Sequence, residues 1–240
     1  MADAIVIPGR FNGPRDSGNG GYSCGVVGAL VGNPAAVSLR APPPLERELT
    51  VERADGALLV RDGDTLVAEG RLARLEVEPP EPVTFDDAGR ASERGYPRWS
   101  HSHPFPTCVV CGPDREPLDG FRIFPGEVEG RDVFAAPWTP DGSLAGHDGL
   151  VRPECVWAAL DCPTSAPVAL YEEGRPIVLA QLAVSIERPV RAGEPHVLMS
   201  WRLGVDGRKR RGAAALLGPG GELLAGSEAL WIELRTGSKV

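Results

Sequence analysis

The stretch VRPECVWAALDCPTSAP, Val151–Pro167, contains a run of apolar residues that ends at one acidic residue, Asp161. Pro153 and Glu154 suit the first turn of a helix, because proline has no N–H to lose there and an acidic group favours the positive end of a helix. We therefore predict a short helix over Val151–Cys162. A helix that is apolar nearly all round is normally buried, so this one is expected inside the fold.

The carboxylate of Asp161 must be hydrogen-bonded or neutralised if the helix is buried. Two interpretations are open. Asp161 can hydrogen-bond the following turn, which contains Thr164 and Ser165, or it can face a cavity and carry out chemistry. From this helix alone the structural role is preferred, because structural polar groups in protein interiors outnumber catalytic ones.

The composition is that of a globular protein. The chain has 240 residues, of which 42% are hydrophobic and 24% charged, which is enough for one large domain or two small ones. Its 30 glycines and 24 prolines indicate many turns and favour a strand-rich fold. The net charge of -8 argues against general binding to nucleic acid or to anionic membranes.

The sequence also bears on the cellular compartment. The opening MADAIVIPGR lacks the basic and apolar regions of a secretory signal, and no run of about eighteen apolar residues occurs. Five cysteines, an odd number, fit reduced thiols better than a disulfide framework. We therefore expect a cytoplasmic protein with no membrane association.

A polar, proline-rich stretch separates two strand-rich segments. We predict an N-terminal unit over residues 1–83, a linker that contains a Cys-x-x-Cys motif over 84–117, and a C-terminal unit over 118–240.

The two units resemble each other at low identity. SLRAP from Ser38 matches SIERP from Ser185, and GDTLVA from Gly63 matches GELLAG from Gly221. Each unit is expected to contain a strand, a loop, one helix and then several antiparallel strands. The predicted fold class is α+β, with a curved antiparallel sheet wrapped around a central helix in each of two repeats.

Three motifs in this order of elements carry a family resemblance: NGGYSCGVVGAL (Asn19–Leu30), FPTCVVCGP (Phe105–Pro113) and GELLAGSEALW (Gly221–Trp231). The chain resembles tandem, or double, hotdog acyl-CoA thioesterases and uncharacterised thioesterase-like bacterial proteins of that superfamily. The resemblance implies hydrolysis of an acyl-CoA or related acyl thioester in a cleft between the two hotdog repeats. It implies no cofactor beyond the coenzyme A of the substrate, and it makes a homodimer plausible.

The resemblance also implies site residues. In many hotdog enzymes a His-Gly-Gly sequence opens the helix and its backbone N–H groups polarise the thioester carbonyl, while an acidic residue on the partner helix acts as base or nucleophile. Asn19, Gly20 and Gly21 match the first group, with asparagine in place of histidine, and Asp161 matches the acidic residue. Thr164 is near enough in sequence to orient water or to cap the helix end.

Two other functions remain open. A non-catalytic acyl-thioester or small-lipid binding protein would keep the groove without the histidine. An enoyl-thioester hydratase or dehydratase would need an Asp–His pair, for which His147 is the histidine expected near Asp161.

The segment GRKRRG, Gly207–Gly212, is the strongest basic run in this acidic chain. In one interpretation it is a solvated hairpin turn. In the other, Arg208 and Lys209 pair with the phosphates of coenzyme A.

The segment HSHPFPTCVVC contains four side chains that can bind a soft metal: His101, His103, Cys108 and Cys111. A Cys-x-x-Cys motif with nearby histidines can form part of a tetrahedral zinc site, although a second spaced pair is missing. The preferred alternative is that the cysteines fill the seam between the two hotdog units, so zinc is possible but not favoured. Redox activity is a third interpretation, without the thioredoxin-like βαβ pattern that usually surrounds it.

Overall fold

Eleven antiparallel strands form one sheet in the computed structural model of the chain, which describes residues 3–169, 173 and 175–235. The outermost residues of the two predicted units, 1–2 and 236–240, lie outside the described residues. The strands are β1 (Asp3–Val6), β2 (Ala35–Leu39), β3 (Glu48–Ala54), β4 (Ala57–Asp62), β5 (Thr65–Leu72), β6 (Gly126–Glu127), β7 (Phe134–Trp138), β8 (Ile177–Ile186), β9 (His196–Asp206), β10 (Lys209–Leu217) and β11 (Leu223–Glu233). The helices are α1 (Gly20–Val31), α2 (Phe85–Ser102) and α3 (Pro153–Ser165).

The strand order is β1-β3-β4-β5-β2-β8-β11-β10-β9-β7-β6. The first five strands of the chain lie together on one side and the last six on the other, and β2 pairs antiparallel with β8 at the junction. There the side chain of Gln181 donates a hydrogen bond to Ser38 Oγ at 2.9 Å. The expected continuous antiparallel layer is therefore present.

The hairpins of the first side turn at the predicted positions. Asp55 and Gly56, between β3 and β4, have φ values of 51° and 71°, and Gly63, between β4 and β5, has a φ of 57°. Two-residue hairpin turns require such left-handed conformations, which Asp, Asn and Gly adopt most readily.

Helices α1 and α3 pack against each other and against the sheet. α1 contacts β2, β4 and β5, and α3 contacts β8, β9, β10 and β11. All residues of α3 from Cys155 to Ser165 are buried, which confirms the burial predicted from the apolar run. The helix continues to Ser165 past the predicted end, because Pro163 lies near the last turn.

Helix α2 lies within the stretch predicted as a linker, where no helix was predicted. Its N-cap is Thr84, whose hydroxyl accepts a hydrogen bond from the Asp87 N–H at 3.1 Å. The helix contacts β6, β7 and β9 and buries only small residues and one tryptophan, Ala88, Ala91 and Trp99. Two glycines, an internal proline and a polar composition hide this narrow apolar stripe from periodicity.

Helices α2 and α3 cover opposite faces of the same strands. Along β10, Ala214 and Leu216 join the core that contains α3, whereas Ala215 and Leu217 join the core beneath α2. Successive strand residues point to opposite faces, so a strand covered on both faces is apolar throughout. None of the described helices has the length and apolarity needed to span a membrane.

Candidate active site

The first turn of α1 is fixed by Asn19. This residue is 2% exposed and is the N-cap: its Oδ1 accepts a hydrogen bond from the Tyr22 N–H at 2.8 Å. Its own N–H donates to the Phe11 carbonyl at 2.8 Å, and the preceding Gly18 N–H donates to Pro43. Asparagine is among the preferred N-cap residues because its short side chain satisfies an otherwise unpaired N–H.

Glycines on one side of α1 allow α3 to approach closely. A Cβ atom at Gly21 would lie 2.3 Å from the Asp161 Cβ, one at Gly25 would lie 2.6 Å from the Glu154 Cα, and one at Gly28 would meet the Trp157 ring at 2.6 Å. No side chain fits at these distances. The three glycines therefore set the separation of the two helices.

The close approach brings the carboxylate of Asp161 to the N-terminus of α1. Asp161 Oδ2 accepts hydrogen bonds from the Gly21 N–H at 2.8 Å and from Asn19 Nδ2 at 3.2 Å. Asp161 is 2% exposed, and its Oδ1 is buried without a hydrogen-bond partner among the described residues. A buried oxygen of this kind is rare and marks a position where a water molecule or a ligand can bind.

The surroundings raise the pKa of Asp161 to about 7. Burial is the largest cause, because it disfavours the charged carboxylate, and the thiolate charge at Cys108 acts in the same direction. The hydrogen bonds from Gly21 and Asn19 oppose the rise.

A cavity of about 850 Å³ lies in front of this carboxylate. Asn19, Gly20 and Asp161 line it, together with a larger apolar surface that includes Leu39, Pro43, Phe105, Ile177, Leu179 and Trp231. Two exposed basic residues also line the cavity, Arg15 and Arg40, and Arg40 pairs with Glu69 at 3.0 Å. The arrangement offers an apolar chamber, a buried carboxylate and basic groups near solvent.

The structure brings together most of the predicted catalytic residues, but the proposed donors contact Asp161 itself. Thr164 is fully buried and does not line the cavity. Its hydroxyl donates to the Asp161 carbonyl at 2.6 Å and accepts from Trp231 Nε1 at 2.8 Å, so it ties α3 to β11.

The predicted phosphate-binding residues lie outside the cavity lining. Arg208 donates from Nη1 to the Glu233 carbonyl at 3.1 Å in the turn between β9 and β10. Lys209 pairs in register with Ile232, which lines the cavity, so the turn lies beside that part of the cavity. His147 is exposed and is not among the lining residues.

The cysteine motif lines the same cavity. Cys108, Cys111 and His103 are lining residues, and His103 Nε2 lies 3.0 Å from Cys111 Sγ. His101 is exposed and does not line the cavity. The sequence did not indicate that Cys162, on α3, completes a group of three sulfur atoms within 4.8 Å of one another. Only its position next to Asp161 in the chain could have suggested it.

Comparison with known proteins gives structural similarity alone. No family model and no curated protein matches the chain. The acyl-CoA thioesterase II TesB2 from Mycobacterium marinum matches with a TM-score of 0.57 at 12% identity, over 93% of this chain and 92% of that protein. The tesB protein MAP1729c from Mycobacterium avium subs paratuberculosis matches with a TM-score of 0.54 at 12% identity, over 85% and 78%. The chain therefore has a double hotdog fold like that of the TesB-like acyl-CoA thioesterases, as its sequence motifs predicted.

Proposed function

We propose that the chain hydrolyses acyl-CoA or related acyl thioesters in the cavity between its two hotdog repeats, with Asp161 as the catalytic carboxylate. One observation carries the proposal. The Asp161 side chain is buried at the cavity wall, is held through Oδ2 by the N-terminus of α1, and keeps Oδ1 without a partner among the described residues. A carboxylate held in this way is suited to bind and deprotonate a water molecule.

The proposed reaction follows from these contacts. Asp161 takes a proton from water while the water oxygen bonds to the thioester carbonyl carbon. The carbon–sulfur bond then breaks, and the leaving coenzyme A sulfur receives the proton from Asp161. Gly20, which lines the cavity in the first turn of α1, lets the carbonyl oxygen approach the positive end of the helix.

The substrate is divided between the two parts of the cavity. The acyl group lies against the apolar lining, which includes Leu179 and Trp231. The phosphates of coenzyme A lie toward solvent, where Arg15 and Arg40 are nearest, with Arg208 and Lys209 beside the cavity as the original candidates.

The test is hydrolysis of short, medium, long and aromatic acyl-CoA esters, followed by loss of thioester absorbance so that the protein's own thiols do not interfere. Asp161→Asn keeps the size of the side chain and is expected to lower kcat by at least about 100-fold, the usual contribution of a general base. Asp16→Asn is the matched control, because Asp16 is an exposed carboxylate that lines the same cavity. Its kcat should stay within about twofold of the wild type.

Two outcomes would contradict the proposal. Equal hydrolysis by Asp161→Asn and the wild type would remove Asp161 from the mechanism. Binding of the esters by the wild type without turnover of any of them would favour an acyl-thioester binding protein.

We also propose that the two sides of the sheet arose by internal duplication. The order β1-β3-β4-β5-β2 has the same path as β7-β9-β10-β11-β8, and one helix follows the first strand of each series, which supports the two-repeat interpretation. The resemblance further supports a homodimer in the cytoplasm. Light scattering of the purified chain and fractionation of cells test these two proposals.

A further inference from the structure

Three cysteines from separate parts of the chain meet beside the cavity. Cys108 and Cys111 belong to the loop after α2, and Cys162 belongs to α3. Their sulfur atoms all lie within 4.8 Å of one another, and the side chains are buried, with residue exposures of 3%, 3% and 6%. The other two cysteines, Cys24 and Cys155, are buried outside this group.

The spacing of the sulfur atoms suits a shared metal ion. Cys108 Sγ and Cys162 Sγ are 3.8 Å apart. Two thiolates on a tetrahedral zinc, with Zn–S bonds of about 2.3 Å, are separated by about 3.8 Å. A disulfide would instead require about 2.05 Å.

The loop that holds two of the cysteines has a defined conformation. The Gly112 N–H donates to the Cys108 carbonyl at 2.8 Å, and a Cβ atom at Gly112 would lie 2.5 Å from that same oxygen. Val109 is fixed by hydrogen bonds to Asn12 and Phe121, and Val110 by one from Ile123. The two sulfur atoms are therefore positioned by a rigid backbone before any metal binds.

Hydrogen-bond donors surround the sulfur atoms, as expected around metal thiolates. The backbone N–H groups of Val110 and Cys111 donate to Cys108 Sγ. Asn19 Nδ2 lies 3.7 Å from Cys108 Sγ and 3.8 Å from Cys162 Sγ. These donors compensate the negative charge that three thiolates carry in excess of one divalent cation.

His103 acts as a further donor to the group. Its Nδ1 accepts a hydrogen bond from the Phe105 N–H at 2.8 Å, so the proton of the neutral ring lies on Nε2, which faces Cys111 Sγ at 3.0 Å. His103 thus supports a sulfur ligand and does not bind the metal itself. One of the four tetrahedral positions remains, and all three cysteines line the cavity.

We propose that Cys108, Cys111 and Cys162 bind one zinc ion whose fourth position faces the cavity. Thiolates select soft metals of this class over magnesium and calcium. A water molecule in the fourth position would also offer a hydrogen bond to the unpartnered Oδ1 of Asp161, which neighbours Cys162. The site fastens the loop after α2 to α3, and it does not depend on the proposed hydrolysis.

The test is the metal content of the full chain, purified without chelator and analysed for zinc, iron and copper by mass spectrometry. The wild type should carry about one zinc per chain. Cys108→Ser and Cys162→Ser should each weaken zinc binding by at least about tenfold, since loss of even a supporting hydrogen bond has effects of that size. Cys24→Ser and Cys155→Ser are the matched controls and should retain the metal.

A second measurement covers variants that fail to fold. Cobalt(II) added to zinc-free wild-type protein should give the sulfur-to-cobalt charge-transfer absorption and the visible bands of a tetrahedral site. Wild-type protein without zinc and without these bands would overturn the proposal, as would equal zinc loss in the Cys24→Ser control, a Cys108–Cys162 disulfide, or iron or copper in place of zinc. None of these results uses a thioester, so failure here leaves the hydrolase proposal to its own test.

Discussion

Replacing Gly21 by alanine perturbs the contact that positions Asp161. The new Cβ would lie 2.3 Å from the Asp161 Cβ, 2.9 Å from the Trp157 carbonyl oxygen and 3.0 Å from the Ala158 Cα. Two of these three neighbours belong to the α3 backbone, so no side-chain rotation can relieve the overlap. The helices must separate, and the Gly21 N–H must move away from Asp161 Oδ2.

The size of the effect follows from two opposing terms. Overpacking of a close contact costs about 1–3 kcal/mol, and the backbone overlap here puts the cost near about 3 kcal/mol. The greater helix preference of alanine offsets at most about 1 kcal/mol. The free energy of unfolding should therefore fall by about 2 kcal/mol, which lowers the Tm of a chain of this size by about 4–8 °C.

The assay is thermal unfolding, followed by circular dichroism, with Gly89→Ala as the matched control. Gly89 lies within α2, and a Cβ atom there would have nothing within 4 Å. Alanine at that position should raise the unfolding free energy by about 0.5–1 kcal/mol, because it reduces the freedom of the unfolded chain without a clash.

The same two variants also test the site. Gly21→Ala should lose thioester hydrolysis even at temperatures where it is folded, because it displaces the catalytic carboxylate, whereas Gly89→Ala should keep full activity. A Gly21→Ala protein as stable as the wild type would refute the close packing of α1 on α3. Equal destabilisation by Gly89→Ala would show that the loss has another origin.

Two further predictions concern residues selected from the sequence. Thr164→Val leaves the Trp231 indole N–H buried without its acceptor and should destabilise the fold by about 1–3 kcal/mol in urea unfolding, with kcat of the folded protein unchanged. Reversing the charges of Arg208 and Lys209 to glutamate should raise KM for acyl-CoA esters while sparing short thioesters that lack coenzyme A.

Each of these predictions has its own contrary result. A large loss of kcat in folded Thr164→Val would give the hydroxyl a part in the chemistry. An equal rise of KM for both kinds of ester would exclude phosphate binding at the turn, and the same measurement on Arg15→Ala would then test the cationic groups that line the cavity.

The sequence by itself determined the local elements of this protein. The alternation of the strands, the Asp-Gly turns and the apolar run around Asp161 are patterns within about ten residues, and local sterics and solvation are enough to produce them. For the same reason the narrow apolar stripe of α2 went unpredicted. Its helix-breaking residues weaken the local pattern, and burial against β7 stabilises it only in the folded chain.

Only the tertiary structure decided which side chains meet. Gly21 reaches Asp161 across 140 residues because a glycine surface on α1 lets α3 approach, and the sequence alone indicates glycine without indicating its neighbour. Cys162 joins Cys108 across 54 residues for a related reason, since the loop after α2 folds back onto α3. Contacts between distant segments depend on the packing of whole elements, which no short pattern in the chain specifies.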